Sequence, residues 1–202
     1  MNGKNEVWDA VENFRAKYAK DLQRVPVGVL ECIEIGLRID VIPFPDLFSK
    51  YSVDAAVTPD FRGIYVDRNS YEAIEGKPPW MFNRLRFSLA HELGHIVMHK
   101  EIVKGVEFKS LEDFWNFARK YTRNKYTLEW EANEFAGRLI VPIERLKQDF
   151  DKFTKGVQAQ FPSWWSNAGL RNELTISLAA TYQVSKDVIS CRLDREELWP
   201  SS

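Results

Sequence analysis

The stretch Arg84-Leu85-Arg86-Phe87-Ser88-Leu89-Ala90-His91-Glu92-Leu93-Gly94-His95-Ile96-Val97-Met98-His99 decides the reading of this chain. Leu85, Leu89, Ala90, Leu93, Ile96 and Val97 recur at three- and four-residue intervals, the period of a helix with a buried face. Within it stands His-Glu-x-x-His. The four-residue spacing puts His91 and His95 on one face, where two imidazoles can serve a single metal. Glu92 is displaced around the helix toward the place where an activated water would sit, the position of a general base. The chain has 3 histidines, all in this helix, so any imidazole site must be built here. Gly94 is a poor helix former between two ligands, and it predicts the close approach of another element.

A third ligand has to come from elsewhere. Thr127 is placed to cap a helix whose apolar stripe is Leu128, Ala132, Phe135, Ala136, Leu139 and Ile140, and which stops before Pro142. It carries Glu129, Glu131 and Glu134. Glu129 shares a side with Ala132, Asn133 and Ala136, so helix-face reasoning prefers it to Glu131 as the ligand. Asn133, one turn on, can then hold a histidine ligand's other nitrogen. His99 is a fallback ligand or a polar neighbour of the site. His99, Tyr121 and Tyr126 are the candidate donors to a developing oxyanion.

The 202 residues are enough for one sizeable core. Lys and Arg total 28 against 29 Asp and Glu, for a net charge of -1, so no basic excess marks a nonspecific nucleic-acid binder. Two cysteines, Cys32 and Cys191, make no disulfide framework and suit a reducing cytoplasm. The N-terminal residues lack the apolar run of a signal peptide, and no stretch is long and apolar enough to span a membrane.

Along the chain, the spacing predicts a first helix over 6–22. A second helix opens near Pro26, with Val29, Ile33 and Leu37 buried. Short strands are expected over 38–44, 53–57 and 63–66, making a small, mostly antiparallel sheet of three strands. Residues 69–80 read as a polar loop kept extended by Pro78-Pro79, ahead of the metal helix over 81–100. Ser110 caps a further helix packed by Phe114 and Phe117. The aromatic run 153–167 reads as a loop anchoring the tail through Trp164 and Trp165. Two helices follow over 173–183 and 186–193, and residues 196–202 read as frayed. This last pair has a helix-turn-helix pattern, but Asp187 and Asp194 offset Lys186 and Arg192. The footprint speaks against direct DNA binding and for a helical cap. The expected organisation is a metallopeptidase domain over 1–150 and a helical cap over 151–202.

The motif helix, the run Glu129-Trp130-Glu131-Ala132-Asn133-Glu134-Phe135-Ala136 with Leu139-Ile140-Val141-Pro142, and the tail Leu178-Ala179-Ala180-Thr181-Tyr182-Gln183-Val184-Ser185 together resemble the ImmA/IrrE metallopeptidases over roughly residues 26–195. The resemblance implies an α+β fold of compact, zincin-like type (a minimal gluzincin). It implies one zinc ion held by His91, His95 and Glu129, with Glu92 as base. It further implies a cytoplasmic regulator of phage, mobile-element or stress-response genes that cleaves a helix-turn-helix repressor or antitoxin. The first 25 residues are too few for the DNA-binding domain some relatives carry, so the expected substrate is a separate protein. The alternative is a regulatory or toxin–antitoxin partner that keeps the zinc fold and acts by binding alone. Oligomeric state has no signature in the sequence.

Overall fold

A computed structural model describes residues 3–19, 21, 24–72, 79–123 and 126–200. Helix α1 (Gly3–Tyr18), expected over 6–22, buries Val7, Val11 and Phe14. Leu22, at the expected end of that helix, lies outside the described residues, as do 73–78 of the expected loop. The second helical segment, Glu31–Leu37, has the wider π-helical turn and buries Cys32 and Ile33. Three strands follow: β1 (Asp40–Phe44), β2 (Ala55–Val57) and β3 (Gly63–Asp67), with the short helix α2 (Leu47–Tyr51) between the first two. The helix α3 (Arg68–Glu72) occupies the start of the expected loop.

The sheet order is β1-β3-β2. β2 and β3 form the expected antiparallel pair, with Ala56 opposite Tyr65. β1 pairs with β3 in parallel, with Ile42 opposite Tyr65, so the sheet is mixed where mostly antiparallel pairing was expected. The reason is the crossover: α2 and β2 separate β1 from β3 in the chain and let β1 arrive in the same direction. β2 is thereby an edge strand.

The motif helix α4 (Pro79–His99) starts two residues before the expected boundary. It packs along α6 (Leu128–Ile140), and the contact depends on small residues. A Cβ at Gly94 would lie 3.2 Å from the Cα of Ala132 and 3.3 Å from its carbonyl oxygen, so glycine sets the interhelical distance here. Leu85, Leu89, Leu93, Ala132, Phe135 and Leu139 are fully buried in the same seam. Burying each leucine is worth about 2 kcal/mol. The Thr127 hydroxyl accepts the Trp130 N–H at 3.1 Å and caps α6 as predicted. Helix α5 (Leu111–Lys120), capped by Ser110, brings Phe114 against the seam.

The C-terminal part comprises α7 (Ile143–Gln158), α8 (Ala168–Tyr182) and α9 (Lys186–Arg195). α7 runs through Gly156 to Gln158 and takes up the first six residues of the stretch expected as loop. One hydrophobic cluster extends from Val7 through α4 and α6 to Leu193, so the residues of both expected parts share a core. Trp164 is buried in it, edge-on to Phe150 at 6.0 Å. The end of the chain is docked rather than frayed as far as Pro200. Glu196 pairs with Arg138 and Arg192, and the Trp199 indole donates to Asp194 at 2.7 Å. No helix among the described residues is long and apolar enough to cross a membrane.

Candidate metal centre

α4 and α6 bring three donors together. His91 Nε2 lies 3.1 Å from His95 Nε2 and 3.3 Å from Glu129 Oε2, and His95 Nε2 lies 3.6 Å from Glu129 Oε1. Zinc bonds of about 2.0–2.1 Å in a tetrahedron demand donor separations of about 3.3 Å. The two nitrogens lie near that spacing from each other and each from one of the two Glu129 oxygens, and one donor atom from each residue falls within 4.8 Å of the others. Among the described residues these three make the cluster able to hold a metal ion.

Hydrogen bonding sets both imidazoles to present a lone pair. Asn133 Oδ1, an acceptor, lies 3.1 Å from His91 Nδ1, which must then carry the proton and leave Nε2 bare. Behind His95, its Nδ1 lies 3.0 Å from His99 Nδ1, and His99 Nε2 lies 3.0 Å from Glu131 Oε2. A carboxylate only accepts. His99 therefore donates from Nε2 to Glu131 and accepts from His95 at Nδ1, and His95 Nε2 is left bare. Three lone-pair atoms converge on one point, the arrangement a divalent cation fits. Burial alone would raise Glu129, but the His91 and His95 imidazoles beside it hold it well below the usual carboxylate range. His95 is pushed down to about 3, chiefly by burial. For His91 burial is the largest single influence and lowers the pKa, but the hydrogen bond to Glu129, the charges of Glu92 and Glu129 and the Asn133 contact together outweigh it and raise the pKa, so the surroundings favour positive charge here, as a proton or as a metal ion.

Glu92 stands beside this triangle. Its Oε2 accepts the Val57 N–H of β2 at 2.7 Å, which leaves the other oxygen available to the cleft. Burial raises its pKa to about 7, the range of an effective proton acceptor and donor near neutrality. The cleft has a volume of about 310 Å³ and is lined by His91, Glu92, Glu129, Ala55, Trp115 and Arg119, among others. Asp54 and Arg84 close one end. The Arg84 guanidinium meets the Asp54 carboxylate through two nitrogens at 2.7 and 2.8 Å.

The other residues singled out in the sequence sit elsewhere. His99 is 0 % exposed, so as an oxyanion donor it is corrected: it cannot reach a substrate, and it stands behind His95. Tyr126 stacks on Trp130 at 3.8 Å and is not among the residues lining the cleft, and neither is Tyr121, stacked on Phe117. Glu131 does lie on a different side of α6 from Glu129, but that side faces His99 rather than solvent. Glu134 is buried among Trp8, Arg192 and Arg195. Arg192 is 2 % exposed, which removes it from any surface DNA could touch. Trp115 and Arg119 carried no signal beyond helix packing in the sequence, because only the fold of α5 over the cleft brings them to the site.

No curated protein sequence matches the chain. Residues 83–194, more than half of it, match the peptidase family described as the IrrE N-terminal-like domain. That span holds the His-Glu-x-x-His helix and the third donor, and the matched residues are those whose geometry has just been described; the chain therefore belongs to the IrrE N-terminal-like family of metallopeptidases.

Proposed function

We propose that the protein is a zinc-dependent endopeptidase of regulatory type, acting in the cytoplasm on a separate DNA-binding repressor or antitoxin. The observation carrying the hydrolytic reading is the three-donor triangle with Glu92 alongside, three of these four side chains lining an open cleft. The regulatory substrate is supported by the family likeness alone.

Held by His91, His95 and Glu129, zinc would supply the charge that acidifies water and polarises a peptide carbonyl. The chain's own groups do the rest. Asp54 O accepts from Asp67 N and Thr58 N donates to Gly63 O, so even-numbered residues of β2 bond to β3. Alternation turns the N–H and C=O of Ala55, and those of Val57, to the free edge. The N–H of Val57 is taken by Glu92. Ala55, which lines the cleft, offers both groups to an extended substrate. Glu92, oriented by Val57, takes the proton of the attacking water and delivers it to the leaving amine. The N–H tether holds that carboxylate in place through both transfers.

Elemental analysis after metal-limited dialysis tests the site: one zinc per chain is expected in the wild type, with loss in Glu129→Ala. Glu92→Gln should keep the zinc and lose hydrolysis. A wild type that takes up no metal when zinc is supplied sinks the proposal. A metal-replete protein that stays bound to an uncut partner supports action by binding instead.

A further inference from the structure

A second concavity of about 530 Å³ lies beside the cleft. Its walls are Trp80, Phe87 and Ser88 of α4 and Val184, Ser185 and Val188 at the α8–α9 turn. It shares Arg84, Phe87 and Ser88 with the lining of the cleft, so the two adjoin across these side chains. We propose that this groove is a substrate subsite for a large aliphatic or aromatic side chain, on the carboxyl side of the bond cut. The inference rests on the peptidase reading above.

The groove is built, not incidental. The buried Arg86 guanidinium donates to the Tyr182 and Gln183 carbonyls at 2.9 and 2.8 Å and to the Val27 carbonyl at 2.8 Å. Those first two are carbonyls at the end of α8, so Arg86 both caps that helix and clamps it to α4. The Asn83 amide reaches the same turn. The walls therefore keep their separation with no ligand between them. Arg84, committed to Asp54 and stacked over Phe48 at 4.4 Å and Trp80 at 5.4 Å, separates the polar cleft from the apolar groove. Trp80 is 58 % exposed, a large ring left toward solvent at the rim.

Position follows from helix geometry. At 1.5 Å per residue, Phe87 lies about 6 Å and Trp80 about 16 Å from His91 along α4. An extended chain rises about 3.3 Å per residue, so the groove meets side chains about two to five residues from the scissile bond. Direction follows from β2. Asp54 is joined to Arg84 and Val57 to Glu92, so β2 runs the same way as α4. A substrate paired antiparallel to β2, the more stable pairing, runs back toward the start of α4 and puts its carboxyl-side residues in the groove. The C-terminal helices thus take part in substrate selection.

The test uses a peptide mixture from a bacterial proteome, digested with zinc-loaded wild type, Trp80→Ala or Val188→Asp, with cleavage sites read by mass spectrometry. Glu92→Gln sets the background. Expected is enrichment of Leu, Ile, Phe, Met or Trp, by about tenfold, at one of the second to fifth positions after the cut. That enrichment should collapse in both variants while Glu92-dependent cleavage persists. Trp80→Ala, at an exposed position, keeps the test valid should Val188→Asp fail to fold. Cleavage without apolar enrichment there, or enrichment unchanged in Trp80→Ala and in a folded Val188→Asp, overturns the subsite. If no Glu92-dependent cleavage occurs, the peptidase reading fails separately, and displayed random nonapeptides panned on Glu92→Gln decide the groove. An apolar consensus lost on adding Val188→Asp or Trp80→Ala supports it, and the absence of any consensus overturns it.

Discussion

The pair His99–Glu131 makes a sharp prediction, because neither residue can touch substrate. Both are 0 % exposed, and they reach the centre only through His95. Glu131→Gln keeps the shape and removes the charge. Two hydrogen bonds of 3.0 Å, with about 2.2 Å across each imidazole and a zinc bond of about 2.0 Å, put the carboxylate no more than about 12 Å from the ion. At an effective dielectric of about 20, a single negative charge there attracts a divalent ion by about 3 kcal/mol. The amide also blurs the proton order. Its NH₂ can donate to His99 Nε2, which permits His99 to donate to His95 and leaves the proton on the nitrogen that should face the metal. Both effects point the same way, and changes to such outlying partners typically cost about 10–100-fold in metal affinity, or about 1.4–2.7 kcal/mol. Zinc affinity measured against a competing chromogenic chelator should fall within that range. The metal-free variant should melt close to the metal-free wild type. Affinity within about threefold of wild type, in a folded variant, refutes the relay, since a loss that small falls below the usual range for such partners.

Three further outcomes are expected. Gly94→Val pushes its Cβ into the backbone of Ala132 and the Cβ of Phe135, both at 3.2 Å, and overpacking of this kind costs about 1–3 kcal/mol; thermal melting should drop and zinc affinity with it, and an unchanged melt would show that the α4–α6 seam is loose. Zinc at about 100 times its dissociation constant should stabilise the wild type by about 2.7 kcal/mol and leave Glu129→Ala unmoved; equal shifts in both would place the ion elsewhere. For Asp67, burial opposes ionisation but is outweighed by N–H donors from Phe48 and Ser70, at 3.0 and 2.9 Å, so its pKa is lowered. A lowered carboxylate contributes stability above its unfolded pKa and loses it as pH falls through the folded one. Asp67→Asn should therefore cost about 1–3 kcal/mol at pH 7, with the gap to wild type closing in denaturant melts below pH 4. A gap independent of pH would refute the assignment.

What could be read from the sequence was local. The period of Leu85, Leu89, Leu93 and Ile96 set the motif helix, and Ser110 and Thr127 marked two helix starts, because caps and helical faces depend on residues within four positions of one another. Gly94 announced a close approach without naming its partner. The boundaries that moved lie where composition misleads: Gly156 inside α7 is exposed with nothing near it, and the helix tolerates it.

The rest required chain segments far apart in sequence to meet. Periodicity placed Glu131 on another side of α6 from Glu129, but only the packing of α4 reveals that this side faces His99. The parallel pairing of β1 with β3 depends on how α2 and β2 cross over, which no residue pattern within either strand encodes. Arg86 is a clamp on three carbonyls, two of them about a hundred positions away, and nothing in its own helix announces them. The amino-acid sequence by itself determined the helix, its ligating face and the kind of chemistry, since all of these follow from spacing along one helix. The tertiary structure alone decided what stands behind each ligand, which strand edge is open, and that the C-terminal helices wall a groove beside the cleft, because each depends on which distant surfaces fit together.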